Sequence, residues 1–97
     1  MPVVRSATIV NQRGLHARAA GRFVKLAGGF DATVTVSGNG ETVPGVSIMG
    51  LLMLGAARGT RIDIAAEGAD ADAAVDALTA LVEGGFGEDQ GAPLSRT

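Results

Sequence analysis

The chain contains no cysteine, tryptophan or tyrosine, and among its 97 residues it has one histidine, three prolines and three phenylalanines. Without cysteine there is no disulfide framework, no thiolate ligand for a zinc site and no Cys/His arrangement for nucleophilic catalysis. A lone histidine gives no second imidazole for a metal site, so none is expected. The lack of cysteine also fits a reducing cytosol. No apolar run approaches the ~20 residues of a membrane span, and the first residues lack the basic-then-apolar pattern of a signal peptide. A formal net charge of −2 with so few aromatic rings argues against nucleic acid as the main partner. What is left is a soluble, cytoplasmic chain, long enough to bury one core without disulfides or a metal.

The single histidine stands where one pattern gives way to another. Residues 3–10 are a β-rich run, Asn11-Gln12-Arg13-Gly14 break it, and residues 17–27 are strong helix formers. His16 therefore falls at a helix N-cap, where the first-turn N–H groups lack helical partners and the macrodipole favours an anion. Arg18, in the first turn, brings a guanidinium suited to phosphate oxygens. Imidazole, backbone amides (that of Ala17 among them) and guanidinium converge on one spot. A surface histidine that merely caps a helix would look the same over so short a stretch.

The remaining elements follow from periodicity. In residues 3–10 composition leaves the inward face open; Ala7 and Ile9 are taken as inward. On the first helix Ala20, Phe23, Val24 and Ala27 form an apolar stripe ended by Gly28-Gly29. Arg18, Arg22 and Lys25 form a basic stripe, either a solvated face or a docking surface for an acidic partner. Residues 31–37 alternate, with Ala32, Val34 and Val36 inward, and Asn39-Gly40 predicts a type I′ hairpin returning over residues 41–43 to Pro44. Ser47 is a predicted N-cap for a short apolar helix over residues 48–54. Leu51 and Leu54 are its core candidates, and Ile48, Met49 and Leu52 are left as an exposed docking patch. Residues 60–67 form a strand with Ile62, Ile64 and Ala66 inward. A last helix follows, capped by Asp70, burying Ala74, Val75, Leu78, Leu81 and Val82 and stopping at Gly84-Gly85. Residues 1–86 thus make one domain, and residues 87–97 read as a flexible tail anchored by Phe86. The order βαββαβα predicts an α+β, open-faced two-layer sandwich: one four-stranded antiparallel sheet with three helices on one face.

The stretch from Asn11 to Arg18 resembles the active-site signature of the HPr family, the histidine phosphocarriers of the bacterial phosphotransferase system. Ser47-Ile48-Met49-Gly50 and the leucines after it resemble that family's regulatory serine and the helix it begins. The resemblance implies strand order 1-4-2-3, which periodicity alone does not choose over a ferredoxin-like order. It implies that His16 accepts a phosphoryl group through Nδ1 from phospho-enzyme I and passes it to an enzyme IIA-type domain, in sugar transport or a nitrogen-regulatory branch. Arg18 and the Ala17 amide would stabilise the phosphate, and Arg22, Lys25, Ile48, Met49 and Leu52 would meet partners. Ser47 would be modified by an HPr kinase/phosphorylase. The carrier, a monomer, needs no cofactor of its own and acts as a relay, not an enzyme. A non-catalytic interaction module governed by Ser47 phosphorylation is the alternative. Two positions depart from the common pattern: Ala19 where many members have proline, and Val46 where many have lysine.

Overall fold

The computed structural model describes residues 1–88 and runs β1 (Val3–Thr8), α1 (Ala17–Ala27), β2 (Thr33–Gly38), β3 (Glu41–Pro44), α2 (Ile48–Met53), β4 (Arg61–Glu67) and α3 (Ala71–Glu83), then a 3-10 turn at Gly85–Gly87. The four strands form one antiparallel sheet in the order β1-β4-β2-β3. This is the expected α+β sandwich. The register sets Ala7 opposite Ile62, Val36 opposite Ile64 and Val34 opposite Ala66, so the buried side chains of three strands lie in one layer under the helices. Phe23 of α1, Leu51 of α2, and Val75, Leu78 and Val82 of α3 close the core from the other side. Among the described residues no helix is long and apolar enough to cross a membrane.

The inward assignments of β1 and β4 hold, and the register gives the reason Arg5 can share a face with Ala7. At the sheet edge its guanidinium reaches Asp76 on α3 and stays exposed. The hairpin is also as expected: Gly38 pairs with Glu41, and Asn39 and Gly40 both have positive φ, 49° and 82°. Asn39 then donates to the Leu54 carbonyl at 2.8 Å, tying the hairpin tip to the end of α2.

Other readings need correction. Asp70 occupies the N-cap position of α3, but its carboxylate caps no helix amide and accepts from the Asp31 N–H at 2.7 Å instead. A loop amide competes with the helix for that carboxylate and wins. Strand β1 ends at Thr8, though Ile9 continues its bonding with Thr60 and Gly59 at 2.9 and 2.8 Å. Val24 and Leu81 are half-buried at the rim of their stripes, while Ala19, outside the predicted stripe, is fully buried. Composition predicts a tail beginning at residue 87. Gly87 and Glu88 instead fold back against α1, as the site shows, and the remainder of the expected tail, residues 89–97, lies outside the described residues.

Candidate functional site

The loop between β1 and α1 is pinned before it reaches His16. Gly14 has φ +66°, and a Cβ there would lie 2.6 Å from the Ala56 carbonyl oxygen, so only glycine fits both the turn and the close approach. The next amide, of Leu15, donates to that same oxygen at 2.9 Å, and the Leu15 side chain is buried. Asn11, also buried, donates from Nδ2 to the Gly14 carbonyl at 2.8 Å. His16 follows as the N-cap of α1, in extended conformation, with its carbonyl accepting from Ala20 N–H at 2.8 Å.

The ring does what a capping side chain does. Nδ1 accepts from the Arg18 backbone N–H at 3.3 Å, so its lone pair points into the first turn of the helix, where Ala17 and Arg18 present their amides. Nε2, on the far side of the ring, meets the carboxylate of Glu88. That carboxylate's other oxygen accepts from Asn11 Nδ2 at 3.0 Å, so one buried amide group braces both the loop and the carboxylate. Glu88 is brought there by the turn after α3. Phe86 is fully buried at φ 58°, and the Arg22 guanidinium donates to its carbonyl, which draws the chain back across α1. Burial alone would raise the Glu88 carboxyl. The hydrogen bonds from His16 and Asn11 and the nearby charges of His16 and Arg13 outweigh it and hold the group below the usual carboxylate range.

Arg13, Arg18, Arg22, Gly87 and Glu88 line a cavity of about 320 Å³ at this end of α1. Three guanidiniums against one carboxylate make it suited to an anion. A larger and mainly apolar groove of about 490 Å³, between Arg22, Lys25, Leu26, Gly29, Phe30 and Leu81, lies farther along the helix and includes no residue of the His16 loop. The structure therefore gathers His16, Ala17, Arg18 and Arg22 in one place. Lys25 belongs to the second groove. Ser47 caps α2, its Oγ accepting from Gly50 N–H at 3.0 Å, and α2 packs beside α1. Ile48, Met49 and Leu52 are exposed there, Met49 at 70%, and Met53, at 71%, extends the patch beyond the three residues expected.

A family model described as the PTS HPr component phosphorylation site matches residues 3–84. The chain belongs to the HPr family. The phosphocarrier protein HPr of Neisseria meningitidis is 48% identical to it over 86 residues, covering 89% of this chain and 97% of the relative. The phosphocarrier protein NPr of Shewanella violacea is 45% identical over 84 residues, covering 87% and 92%. Among solved structures, HPr-C-His from Thermoanaerobacter tengcongensis superposes with a TM-score of 0.85 at 38% identity, covering 90% of this chain and 98% of that one. Membership of the HPr family makes the chain a phosphocarrier component of the phosphotransferase system and accounts for the strand order that periodicity left open.

Two parts of the site were not foreseen from sequence. Glu88 lies 72 positions from His16, in a stretch whose composition offers nothing to bury, and no local pattern marks it. Arg13 and Asn11 had a signal, since both sit inside the motif, but they read only as strand breakers.

Proposed function

We propose that the chain accepts a phosphoryl group on His16 from phospho-enzyme I and delivers it to an enzyme IIA-type domain. The observation that supports this most is the aim of Nδ1 at the first-turn amides of α1, next to an arginine-lined cavity. Neutral His16 attacks the phosphorus in line through Nδ1. The equatorial oxygens, which carry the charge of the transition state, then lie over the Ala17 and Arg18 amides and within reach of the Arg18 guanidinium. Transfer from one imidazole to another changes little in bond energy, so positioning and charge stabilisation are enough. On this reading the protein is a relay, not an enzyme. It works as a cytoplasmic monomer without a cofactor, the phosphoenolpyruvate and Mg²⁺ being used by enzyme I.

Partners are taken to dock on α1 and α2 around the site. Arg22 and Lys25 supply positive charge, and Ile48, Met49 and Leu52 supply apolar contact. Ser47 is the position for regulation by an HPr kinase/phosphorylase, with the exposed, uncharged Val46 beside it reducing the positive charge of the docking rim. Ala19 is buried, and as a strong helix former it keeps the first turn helical without the proline that the family resemblance leads one to expect. Likeness to both HPr and NPr proteins leaves the sugar and nitrogen branches to be separated by partner. The test is acid-labile labelling of the chain by phosphoenolpyruvate, run with each enzyme I paralogue of the host and then chased with its enzyme IIA domains. Labelling by one paralogue and transfer to its IIA domain is the expected result. No labelling by any paralogue would refute the reading.

A further inference from the structure

Glu88 takes no part in the transfer as described so far, yet it touches the ring that performs it. Its carboxylate faces Nε2 of His16, while Nδ1 on the opposite edge accepts from the Arg18 amide. The two contacts specify a protonation pattern. An ionised carboxylate only accepts, so Nε2 must carry the hydrogen; a backbone N–H only donates, so Nδ1 must present its lone pair. We infer that Glu88 is a positioning residue that holds His16 as the Nε2–H tautomer, with Nδ1 as acceptor, and stabilises the positive charge the ring gains on phosphorylation. The inference rests on the carrier reading of His16.

The carboxylate is fixed well enough to do this. Asn11, buried in the loop, holds its second oxygen at 3.0 Å, and the Arg22 contact to the Phe86 carbonyl holds the turn that delivers it. The hydrogen bonds from His16 and Asn11 and the nearby Arg13 favour its ionised form, and Arg18 and Arg22 line the same cavity. Both side chains of the pair are largely shielded, His16 at 14% and Glu88 at 17% exposure, so water competes little for the Nε2 hydrogen.

The step balances without a co-reactant. The Nδ1 lone pair forms the new N–P bond as the donor's N–P bond breaks, and the electron pair of that bond returns to the donor imidazole nitrogen. The donor ring, protonated at its other nitrogen, leaves neutral. His16 keeps its Nε2 hydrogen and becomes a phosphorylated imidazolium, whose charge Glu88 faces directly. No proton changes hands. When the group is passed on, the same charge disappears.

The test compares wild type with Glu88→Ala and the isosteric Glu88→Gln, each checked by thermal melting. In ¹⁵N spectra of the neutral ring, wild type should show Nε2–H as the dominant tautomer and Glu88→Ala a mixture. In single-turnover acceptance from phospho-enzyme I, Glu88→Ala should lose about tenfold in the saturated rate, the scale of removing an oriented partner from a functional histidine. Its KM should stay within about twofold, as expected for an effect on the transition state. Glu88→Gln, which still offers an oxygen to Nε2–H but no charge, should keep the tautomer and lose rate. Unchanged tautomer populations in Glu88→Ala, or a defect confined to KM, would overturn the role of Glu88 with the carrier reading intact. A wild-type protein that takes no phosphoryl group would overturn the carrier reading and the positioning role together.

Discussion

His16 and Arg18 are two residues apart, and their spacing lets one backbone amide and one side chain of the same arginine serve different ends. The Arg18 N–H orients Nδ1, and the exposed guanidinium is left for the phosphate. Arg18→Ala therefore keeps the amide and loses only charge stabilisation. The rate at saturating phospho-enzyme I should fall on the order of 100-fold, the scale of removing one preorganised donor. A rise in KM alone would make Arg18 a docking residue. Both residues were legible because they are adjacent to an element boundary, where sequence patterns are most informative. Glu88 was not, because a contact between the loop before α1 and the turn after α3 depends on how the helices pack, and no local pattern encodes that. Asp70 differs from expectation for the same reason: position makes it a capping residue, but its carboxylate is taken by the distant Asp31 amide.

At the scale of elements, α2 separates its two faces sharply. Leu51 is completely buried while Met49 and Met53 are mostly exposed, so substitutions on the two sides should have unlike effects. Met49→Asp should weaken binding of enzyme I and leave the melting temperature within a few degrees, whereas Leu51→Ala should lower stability by about 2–5 kcal/mol. Loss of the thermal transition in Met49→Asp would mean the apolar patch belongs to the core. Ser47→Asp, at the N-cap of the same helix, keeps an acceptor for Gly50 N–H and should fold normally. It places charge against an apolar patch and should raise the KM in the enzyme I reaction; unchanged kinetics would leave Ser47 its capping role alone. The ends of α1 were legible because a broken strand precedes it and two glycines follow it. The boundaries of β1, β2 and α2 shifted by one or two residues, as frayed ends do. Strand order needed the family resemblance, since alternation shows which face of a strand is buried and is silent about its neighbour.

Across the whole molecule a net charge of −2 coexists with a local excess of arginine at one end of α1, the arrangement that draws an acidic partner or a phosphoryl group to one place. The segment after α3 closes that end, so the site is completed by the loop after β1 and the turn after α3. Because the Glu88 carboxyl is held below its ordinary value, the folded state favours its ionised form, and stability from this contact is fully present above about pH 4.5. It is lost as pH falls through the lowered folded-state value. The stability gap between wild type and Glu88→Gln, followed by thermal melting, should narrow as pH falls below that value; a gap that widens there would contradict the assignment. The central claim is that His16 carries the phosphoryl group, and it is tested most directly by mapping the label after reaction with phosphoenolpyruvate and enzyme I in wild type and His16→Ala. Loss of the capping ring should cost about 0.5–2 kcal/mol, leaving a folded domain as the control. The account predicts one acid-labile phosphoryl group per wild-type chain, on Nδ1 of His16, and none on folded His16→Ala. Label on another residue, or acceptance by His16→Ala at the wild-type rate, would contradict it.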